Sequence, residues 1–247
     1  YFQIQARLGR TKHPGGWPAT KRLVSHCSIT PSKQVLVVGC GNGVSARRIA
    51  RYTGAWVTGI DKLPAMIDLA KRKKMGSVQF FVGDAEQIPF GENEFDVLIL
   101  ESVLAYTDKT KALSECRRVL KPGGYLALNE VTWRELPPPE VTAYARRAMG
   151  GIQPETEEVW LWLLKEAGYA EVATEVEPMR GWRQFYGQLR LQPNIFAFAW
   201  RFVWYYLTKK SFRQGANKMI KDARHMPKGF TQYLGYGLYV SHTQNPV

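Results

Sequence analysis

Short apolar runs alternate with amphipathic segments through the first half of the chain, and this alternation constrains the fold more than any other feature. The apolar runs have the length and β-branched content of buried strands, whereas the segments between them follow the helical period. Strands that alternate with helices form a parallel sheet with helical crossovers. The predicted strands are Val35–Val38, Trp56–Ile60, Val78–Val82, Val97–Leu100 and Tyr125–Asn129, and the predicted helices are Val44–Tyr52, Pro64–Lys73 and Lys109–Leu120.

The second half of the chain adds helices before it returns to strands. Pro137–Pro139 opens one predicted helix, and Thr156 begins another that ends at Gly168. Two further strands, Ala170–Val176 and Leu234–Ser241, bring the predicted total to seven. The expected fold is therefore α/β, with a doubly wound, mostly parallel sheet of seven strands.

A long insertion separates the last two predicted strands. It holds about 55 residues, too many for a structureless loop, and its aromatic residues recur at helical spacing. We expect residues 4–178 and 234–247 to form one domain, and residues 179–233 to form an aromatic, basic helical cap over the carboxyl edge of the sheet. Tyr1–Gln3 stays outside the domain because it is typical of a cleaved tag.

The basic character of the chain is concentrated near its end. The whole chain has 34 Lys and Arg against 21 Asp and Glu, a net charge of +13. From Met179 onward eleven bases accompany a single acid, Asp222, and the same stretch holds 15 of the 31 aromatic residues. Such a segment attracts an anionic partner, which composition leaves open as nucleic acid, phospholipid or an acidic metabolite.

Composition and cysteine use exclude several classes of protein. With 45% hydrophobic residues the chain can bury a core, which excludes a fibrous or disordered protein. Cys27, Cys40 and Cys116 are odd in number and widely spaced, so we expect neither a disulfide framework nor a metal site, in a reducing, cytoplasmic setting. The most apolar stretch, Leu191–Thr208, contains Pro193 and an arginine, which argues against a membrane span but allows a helix that lies on a membrane.

The run Val35–Gly43 (VLVVGCGNG) predicts a buried strand, a glycine-rich turn and then a helix. Glycine allows positive φ angles and lets a ligand approach the backbone. Asp61 ends the second strand, where a carboxylate can accept the hydroxyls of a ribose. Asp84 ends the third strand, where its carboxylate can accept a hydrogen bond from the exocyclic amine of an adenine. Because the carboxyl ends of parallel strands meet at one edge, these features converge on one crevice.

Two longer motifs accompany this crevice, GDAEQIPFGENEFDVLILESVL from Gly83 and ECRRVLKPGGYLALNE from Glu115. Together with the glycine turn and Asp61 they resemble the class I S-adenosylmethionine-dependent methyltransferases. The resemblance is greatest to the small-molecule branch, which includes quinone-ring, sterol and phosphoethanolamine methyltransferases, and it covers residues 13–177 and the final strand. It implies a Rossmann-like methyltransferase fold, S-adenosylmethionine as cofactor and S-adenosylhomocysteine as product.

The resemblance also implies which residues hold the cofactor. The glycine turn would pack against the methionine part, Asp61 would hold the ribose, Asp84 would read the adenine, and Glu101 would contact the amino-acid end. One departure is Val37, which stands where the family usually has an acidic residue, so Glu101 or the His13–Gly16 segment would replace its hydrogen bonds. The full predicted set is Gly15, Gly16, Gly39, Cys40, Gly41, Asp61, Lys62, Met66, Asp84, Ala85 and Glu101.

Methyl transfer from a sulfonium is an in-line displacement, in which the protein mainly aligns the acceptor and removes water. An acceptor that carries a proton must lose it, and for such an acceptor we expect a nearby carboxylate or histidine to act as general base. The predicted candidates are Glu101, Glu130 and His13, and no metal is implied.

The predicted acceptor is a small or lipid-like molecule. An anionic membrane surface is a candidate partner of residues 182–228, and the chain is a candidate homodimer. Two alternatives stay open: an RNA or other nucleic-acid methyltransferase, and a non-catalytic methyltransferase-like scaffold. The nucleic-acid alternative ranks lower, because Glu101-Ser102-Val103-Leu104 stands where base-amine methyltransferases carry an Asn/Asp-Pro-Pro-aromatic tetrapeptide.

Overall fold

The computed structural model describes residues 13–179 and 195–244 of the chain. Its helices are α1 (Gly16–Ser25), α2 (Val44–Thr53), α3 (Pro64–Lys71), α4 (Lys109–Val119), α5 (Pro139–Ala148), α6 (Glu157–Glu166), α7 (Ile195–Thr208), α8 (Lys210–Arg224) and α9 (Phe230–Tyr233), with a 3-10 turn at Leu104–Tyr106. Its strands are β1 (Gln34–Val38), β2 (Trp56–Asp61), β3 (Val78–Val82), β4 (Phe95–Glu101), β5 (Leu120–Trp133), β6 (Glu155–Thr156), β7 (Tyr169–Pro178) and β8 (Leu234–Thr243). The part of the predicted cap at 180–194 lies outside the described residues.

The strands form one sheet in the order β3-β2-β1-β4-β5-β8-β7, with the two-residue β6 beside β5. The first five strands pair in parallel, whereas β8 runs antiparallel to both β5 and β7. The strand order reverses at β1, between β2 and β4, which opens a crevice at the carboxyl ends of these strands. The predicted α/β fold with a mostly parallel, seven-stranded sheet is confirmed, and β6 is an addition to it.

Helices cover both faces of the sheet because side chains alternate along each strand. Val37 of β1 lies in the apolar cluster that α1, α2 and α3 form on one face, and the neighbouring Leu36 lies in the cluster of α4 and α6 on the other. Trp160 of α6 is fully buried in this second cluster. The doubly wound arrangement therefore follows from strands that are apolar on both sides.

Two local features differ from the prediction. The helix α1 was not predicted, although Ala19, Leu23 and Val24 share one buried face of it. Lys121–Gly124 lies between the predicted helix Lys109–Leu120 and the predicted strand Tyr125–Asn129, but it is part of β5, where the pairing register with β4 shifts between Phe95 and Val97. A φ angle of 70° at Gly123 makes this bulge possible.

The predicted helical insertion is present as α7, α8 and α9. The α8 helix meets α5 through the ion pair between Arg147 Nε and Asp222 Oδ1, which are 3.5 Å apart. The ring of Phe230 in α9 packs edge-on against Tyr144 of α5, with 4.9 Å between the ring centroids. Phe230 belongs to a buried cluster with Ala105 of the 3-10 turn, so the insertion lies beside the carboxyl edge of the sheet. The division into domain and cap stays a prediction.

A tight turn of three glycines follows β1 and shapes the crevice. Gly39, Gly41 and Gly43 have φ angles of 66°, 55° and 73°, in the left-handed region that favours glycine. The Gly39 backbone is exposed, although Val38 and Cys40 on either side are buried. A Cβ atom on Gly39 would overlap the Cγ2 atom of Val103, so the turn and the end of β4 pack without room for a side chain.

We predict that Gly39→Ala lowers the free energy of unfolding by more than Gly16→Ala does. Both residues have positive φ, so both variants share a backbone cost of about 1–2 kcal/mol. A Cβ atom on Gly16 would meet no atom within 4 Å, whereas that on Gly39 adds an overlap with Val103 worth about 1–3 kcal/mol. Urea unfolding of both variants measures the difference, and equal destabilisation would contradict this packing.

Candidate active site

Asp61 joins the glycine turn to the end of β2. Its Oδ2 accepts a hydrogen bond from the Gly41 amide at 2.8 Å, and its Oδ1 accepts one from the Leu63 amide at 2.9 Å. Burial raises the pKa of the Asp61 carboxyl, and these two hydrogen bonds oppose that rise. Each oxygen keeps a lone pair for a ligand, so the carboxylate can accept further hydroxyl groups.

Asp84 stands at the neighbouring strand end and pairs with Lys62. The Nζ of Lys62 is 2.6 Å from Asp84 Oδ2, and the Glu86 amide donates to Asp84 Oδ1 at 3.1 Å. Burial alone would raise the pKa of the Asp84 carboxyl, but Lys62 and the amides of Glu86 and Ala85 outweigh it and hold the pKa below its usual value. Because the Lys62 side chain is 72% exposed, this ion pair is weak and can give way to a ligand.

A polar cluster occupies the ends of β4 and β5 on the other side of the turn. The Thr20 hydroxyl donates to Glu101 Oε1 at 2.6 Å, and Nδ1 of His13 lies 3.2 Å from the same oxygen. Nδ1 of His13 also lies 3.2 Å from the Asn129 amide nitrogen, which donates to the Pro14 carbonyl at 2.8 Å. Either tautomer of the His13 ring therefore finds a partner, a carboxylate for N–H or an amide donor for the bare nitrogen.

Sequence reasoning found only part of this cluster. It included His13 and Glu101 but missed Thr20, which lies on the helix that was not predicted. It also missed Asn129, a fully buried amide in the apolar strand β5. A polar residue within a buried apolar run is the signal that could have found Asn129, since burial without hydrogen bonds is costly.

Glu130 requires a correction, because its surroundings do not suit the predicted role of general base. Its side chain is completely buried. Its oxygens accept hydrogen bonds from three consecutive amides, those of Val103 and Leu104 at 2.8 Å and that of Ala105 at 3.3 Å. Burial raises the pKa of the Glu130 carboxyl to about 7, although these amides lower it. Glu130 thus holds the turn after β4 in place and does not reach the crevice.

The remaining predicted residues take less direct positions. Cys40 is buried, with a raised thiol pKa caused mainly by burial, and its Sγ lies near Gly59 and donates to the Gly41 carbonyl at 3.7 Å. Met66 and Ala85 are also buried. Gly15, which precedes α1, has a φ angle of 70°, and a Cβ atom there would come within 2.7 Å of the Tyr236 hydroxyl.

Comparisons with known proteins agree with this geometry. Residues 36–128 match a family model described as a methyltransferase domain. An uncharacterized protein of Haemophilus influenzae is 31% identical over an alignment of 181 positions, which covers 68% of this chain and 71% of that protein. The chain belongs to the class I S-adenosylmethionine-dependent methyltransferases.

A named relative and a solved structure extend the comparison. The sterol 24-C-methyltransferase of Gibberella zeae is 37% identical over an alignment of 114 positions, which covers 44% of this chain and 30% of that protein. A solved S-adenosylmethionine-dependent methyltransferase of Thiobacillus denitrificans, in complex with S-adenosylhomocysteine, shares the fold with a TM-score of 0.75 at 20% identity, over 98% of each chain.

The residues at the crevice fit the cofactor of this family. The exposed backbone of Gly39 offers a close approach, and the Asp61 and Asp84 carboxylates are both partly exposed at adjacent strand ends. Carboxylates accept hydrogen bonds from ribose hydroxyls and from an exocyclic amine, so the chemistry of this set suits an adenosine. The methionine end of S-adenosylmethionine would then lie toward Glu101.

We predict that Asp61→Ala and Asp84→Ala each weaken the binding of S-adenosylhomocysteine by about tenfold to a hundredfold, because each removes a charge-assisted acceptor. Isothermal calorimetry measures the affinity. Asp96→Ala is the matched control, since Asp96 begins β4 at the opposite edge, where it accepts from the Gln34 amide at 2.9 Å. Unchanged affinity in both test variants, or equal loss in the control, would reject the assignment.

We predict a second, pH-dependent effect at Glu130. A carboxyl with a pKa of about 7 in the folded chain and about 4.3 in the unfolded chain binds its proton more tightly when folded. Its contribution to stability is therefore present below about pH 4 and is lost as the pH rises to about 7. Unfolding of the wild type relative to Glu130→Gln should show this loss across that range. The exposed Glu135→Gln serves as control, and parallel pH profiles for all three proteins would contradict the prediction.

Proposed function

We propose that the chain transfers the methyl group of S-adenosylmethionine to a hydrophobic small-molecule or lipid-like acceptor. The observation that supports this most is the polar cluster of His13, Glu101 and Thr20, which stands at the carboxyl edge of the sheet near the strand ends that would hold the cofactor. The acceptor would pack against Ala105, Val131 and Trp133 with the insertion residue Phe230, which form one buried cluster that we call the apolar wall. An apolar wall with a few polar groups at its edge is typical of a site for a hydrophobic ligand.

The reaction requires little covalent chemistry from the protein. The cofactor supplies a methyl group on a sulfonium, and its leaving group is neutral. The glycine turn and the two aspartates would hold the adenosine, while the apolar wall would align the acceptor and exclude water. His13 or Glu101 would take a proton from an acceptor that must lose one, with Thr20 holding the Glu101 oxygen in position.

The acceptor class draws support from two directions. The sterol 24-C-methyltransferase of Gibberella zeae is named for an apolar acceptor, although the likeness covers only part of that protein. The apolar wall of this chain suits such a molecule better than a highly charged one. Fold alone does not decide an acceptor, so the proposal depends on the wall and on the polar cluster.

Other partners stay proposals beside this one. An anionic membrane surface or a second copy of the chain could meet residues 182–228. The alternative of an RNA methyltransferase draws on the bases of the same stretch. A non-catalytic scaffold is the remaining alternative, and it predicts no turnover with any acceptor.

The decisive experiment measures formation of S-adenosylhomocysteine with quinone, sterol, phosphoethanolamine and RNA acceptors. We expect turnover with an apolar acceptor. His13→Gln should then lower kcat by about a hundredfold, because the variant loses a proton acceptor. His225→Gln is the control, since His225 is exposed at the end of α8. Turnover with RNA alone would reject the acceptor class, and an unchanged kcat in His13→Gln would reject the role of His13.

A further inference from the structure

One side of α7 carries large apolar side chains that face solvent. Trp200 and Leu207 are 72% and 68% exposed, and Val203 and Trp204 are 48% and 47% exposed. These four residues are spaced by three and four positions, so they form one continuous stripe along the helix. We call it the α7 stripe. Contiguous exposed apolar patches of this kind are typical of interaction surfaces, whereas single apolar residues scattered over a surface are not.

The α7 stripe does not hold the α7–α8 hairpin together. The next residue, Tyr205, packs against Phe212 of α8, with 5.6 Å between the ring centroids. The Tyr206 hydroxyl donates to Asn217 Oδ1 at 2.9 Å. Phe212 is almost completely buried. The hairpin therefore has its own packed face, and the α7 stripe remains available for a partner.

Basic side chains surround this hairpin. The Nζ atom of Lys209 lies 6.0 Å from the centroid of the Trp204 ring. The positive charge of Lys209 is therefore adjacent to the α7 stripe. Asp222, the single acid after Met179, pairs with Arg147 of α5. Among the bases of the hairpin and its following loop whose side chains the structure describes, none makes an ion pair with a described carboxylate. These exposed bases are Lys209, Lys210, Arg213, Lys218, Lys221, Arg224 and Lys228.

We propose that the α7–α8 hairpin docks on an anionic lipid surface. Trp and Leu side chains suit the boundary between head groups and acyl chains, and the surrounding bases suit lipid phosphates. Because its exposed apolar side chains form one stripe with bases beside it, α7 would lie in the plane of the surface. None of the described helices is long and apolar enough to cross a membrane.

The two competing occupants fit this surface less well. A symmetric pair of chains would bring the same bases together from both copies, and like charges in one interface repel. A nucleic acid would satisfy the bases, but the aliphatic side chains of Val203 and Leu207 offer no aromatic face for base stacking. A lipid surface satisfies both the charge and the stripe.

The docked hairpin would place the crevice near the lipid. The hairpin contacts α5 through the Arg147–Asp222 ion pair. The short helix α9 follows the hairpin, and its Phe230 packs in one cluster with Ala105 of the turn after β4. An acceptor held in the lipid would then have a short path to the apolar wall. The docking itself does not depend on the proposed function, since it needs neither cofactor nor acceptor.

The test is flotation of the whole chain with vesicles of equal parts phosphatidylglycerol and phosphatidylcholine, and with vesicles of phosphatidylcholine alone. We expect flotation with the anionic vesicles in dilute buffer and its loss in about 1 M salt, where the Debye length is about 3 Å. Absence of binding, or equal binding to both vesicles, would overturn the proposal.

Two sets of variants locate the surface. Lys209→Gln, Lys210→Gln and Arg213→Gln together should weaken partitioning by about a hundredfold, at about fivefold per base. The matched control replaces Lys71, Arg72 and Lys73, three exposed bases at the end of α3, by Gln. Equal loss in the control would mean that net charge alone attracts the vesicles, which would overturn the site.

Trp200→Ser with Leu207→Ser should also abolish flotation, whereas Trp162→Ser should not, although Trp162 of α6 is 58% exposed. Light scattering of the same proteins tests for a second copy on the stripe. A dimer that Trp200→Ser with Leu207→Ser dissociates, without any flotation of the wild type, would assign the stripe to self-association. Binding of a single-stranded RNA that displaces the vesicles and depends equally on the stripe would assign it to nucleic acid.

Discussion

The hydrogen bond from the Gly41 amide to the Asp61 carboxylate is the contact on which the site depends. It joins a turn that can exist only because its glycines adopt positive φ to the end of the neighbouring strand β2, one crossover further along the chain. Together with the hydrogen bond from the Cys40 amide to the Ile60 carbonyl at 2.8 Å, it fixes the distance between the exposed Gly39 backbone and the carboxylate. A crevice in an open sheet is rigid only when its rim is cross-linked, and Asp61 provides that link while keeping lone pairs for a ligand.

A second cross-link stands on the opposite side of the crevice. Glu130 accepts hydrogen bonds from three amides of the turn after β4. Val103 of that turn packs against Gly39 of the glycine turn. Burial of a carboxylate costs free energy of folding unless its oxygens accept hydrogen bonds. The three amide donors offset that cost for Glu130. The same contacts explain why Glu130, which lies within β5 and not at its end, serves to position its neighbours.

The sheet and the cofactor edge could be predicted from the sequence because both depend on local patterns. Apolar runs with flanking glycines mark strands, and the motifs at Gly83 and Glu115 are long enough to identify a family. The polar cluster could not be predicted fully, because it joins residues far apart in the chain: Thr20 and Glu101 are 81 positions apart. The role of Glu130 was missed for the same reason, since burial and amide partners are properties of the folded chain.

The place of the insertion between β7 and β8 has a consequence for how such a chain can change. Pro178 and Gly235 are directly paired in adjacent antiparallel strands, so the insertion leaves and re-enters the sheet at neighbouring points. Lengthening a connection between fixed ends costs little conformational entropy. Insertions of different length and composition could therefore be exchanged at this point without disturbing the strands, which would let acceptor preference diverge among relatives while the cofactor edge stays the same.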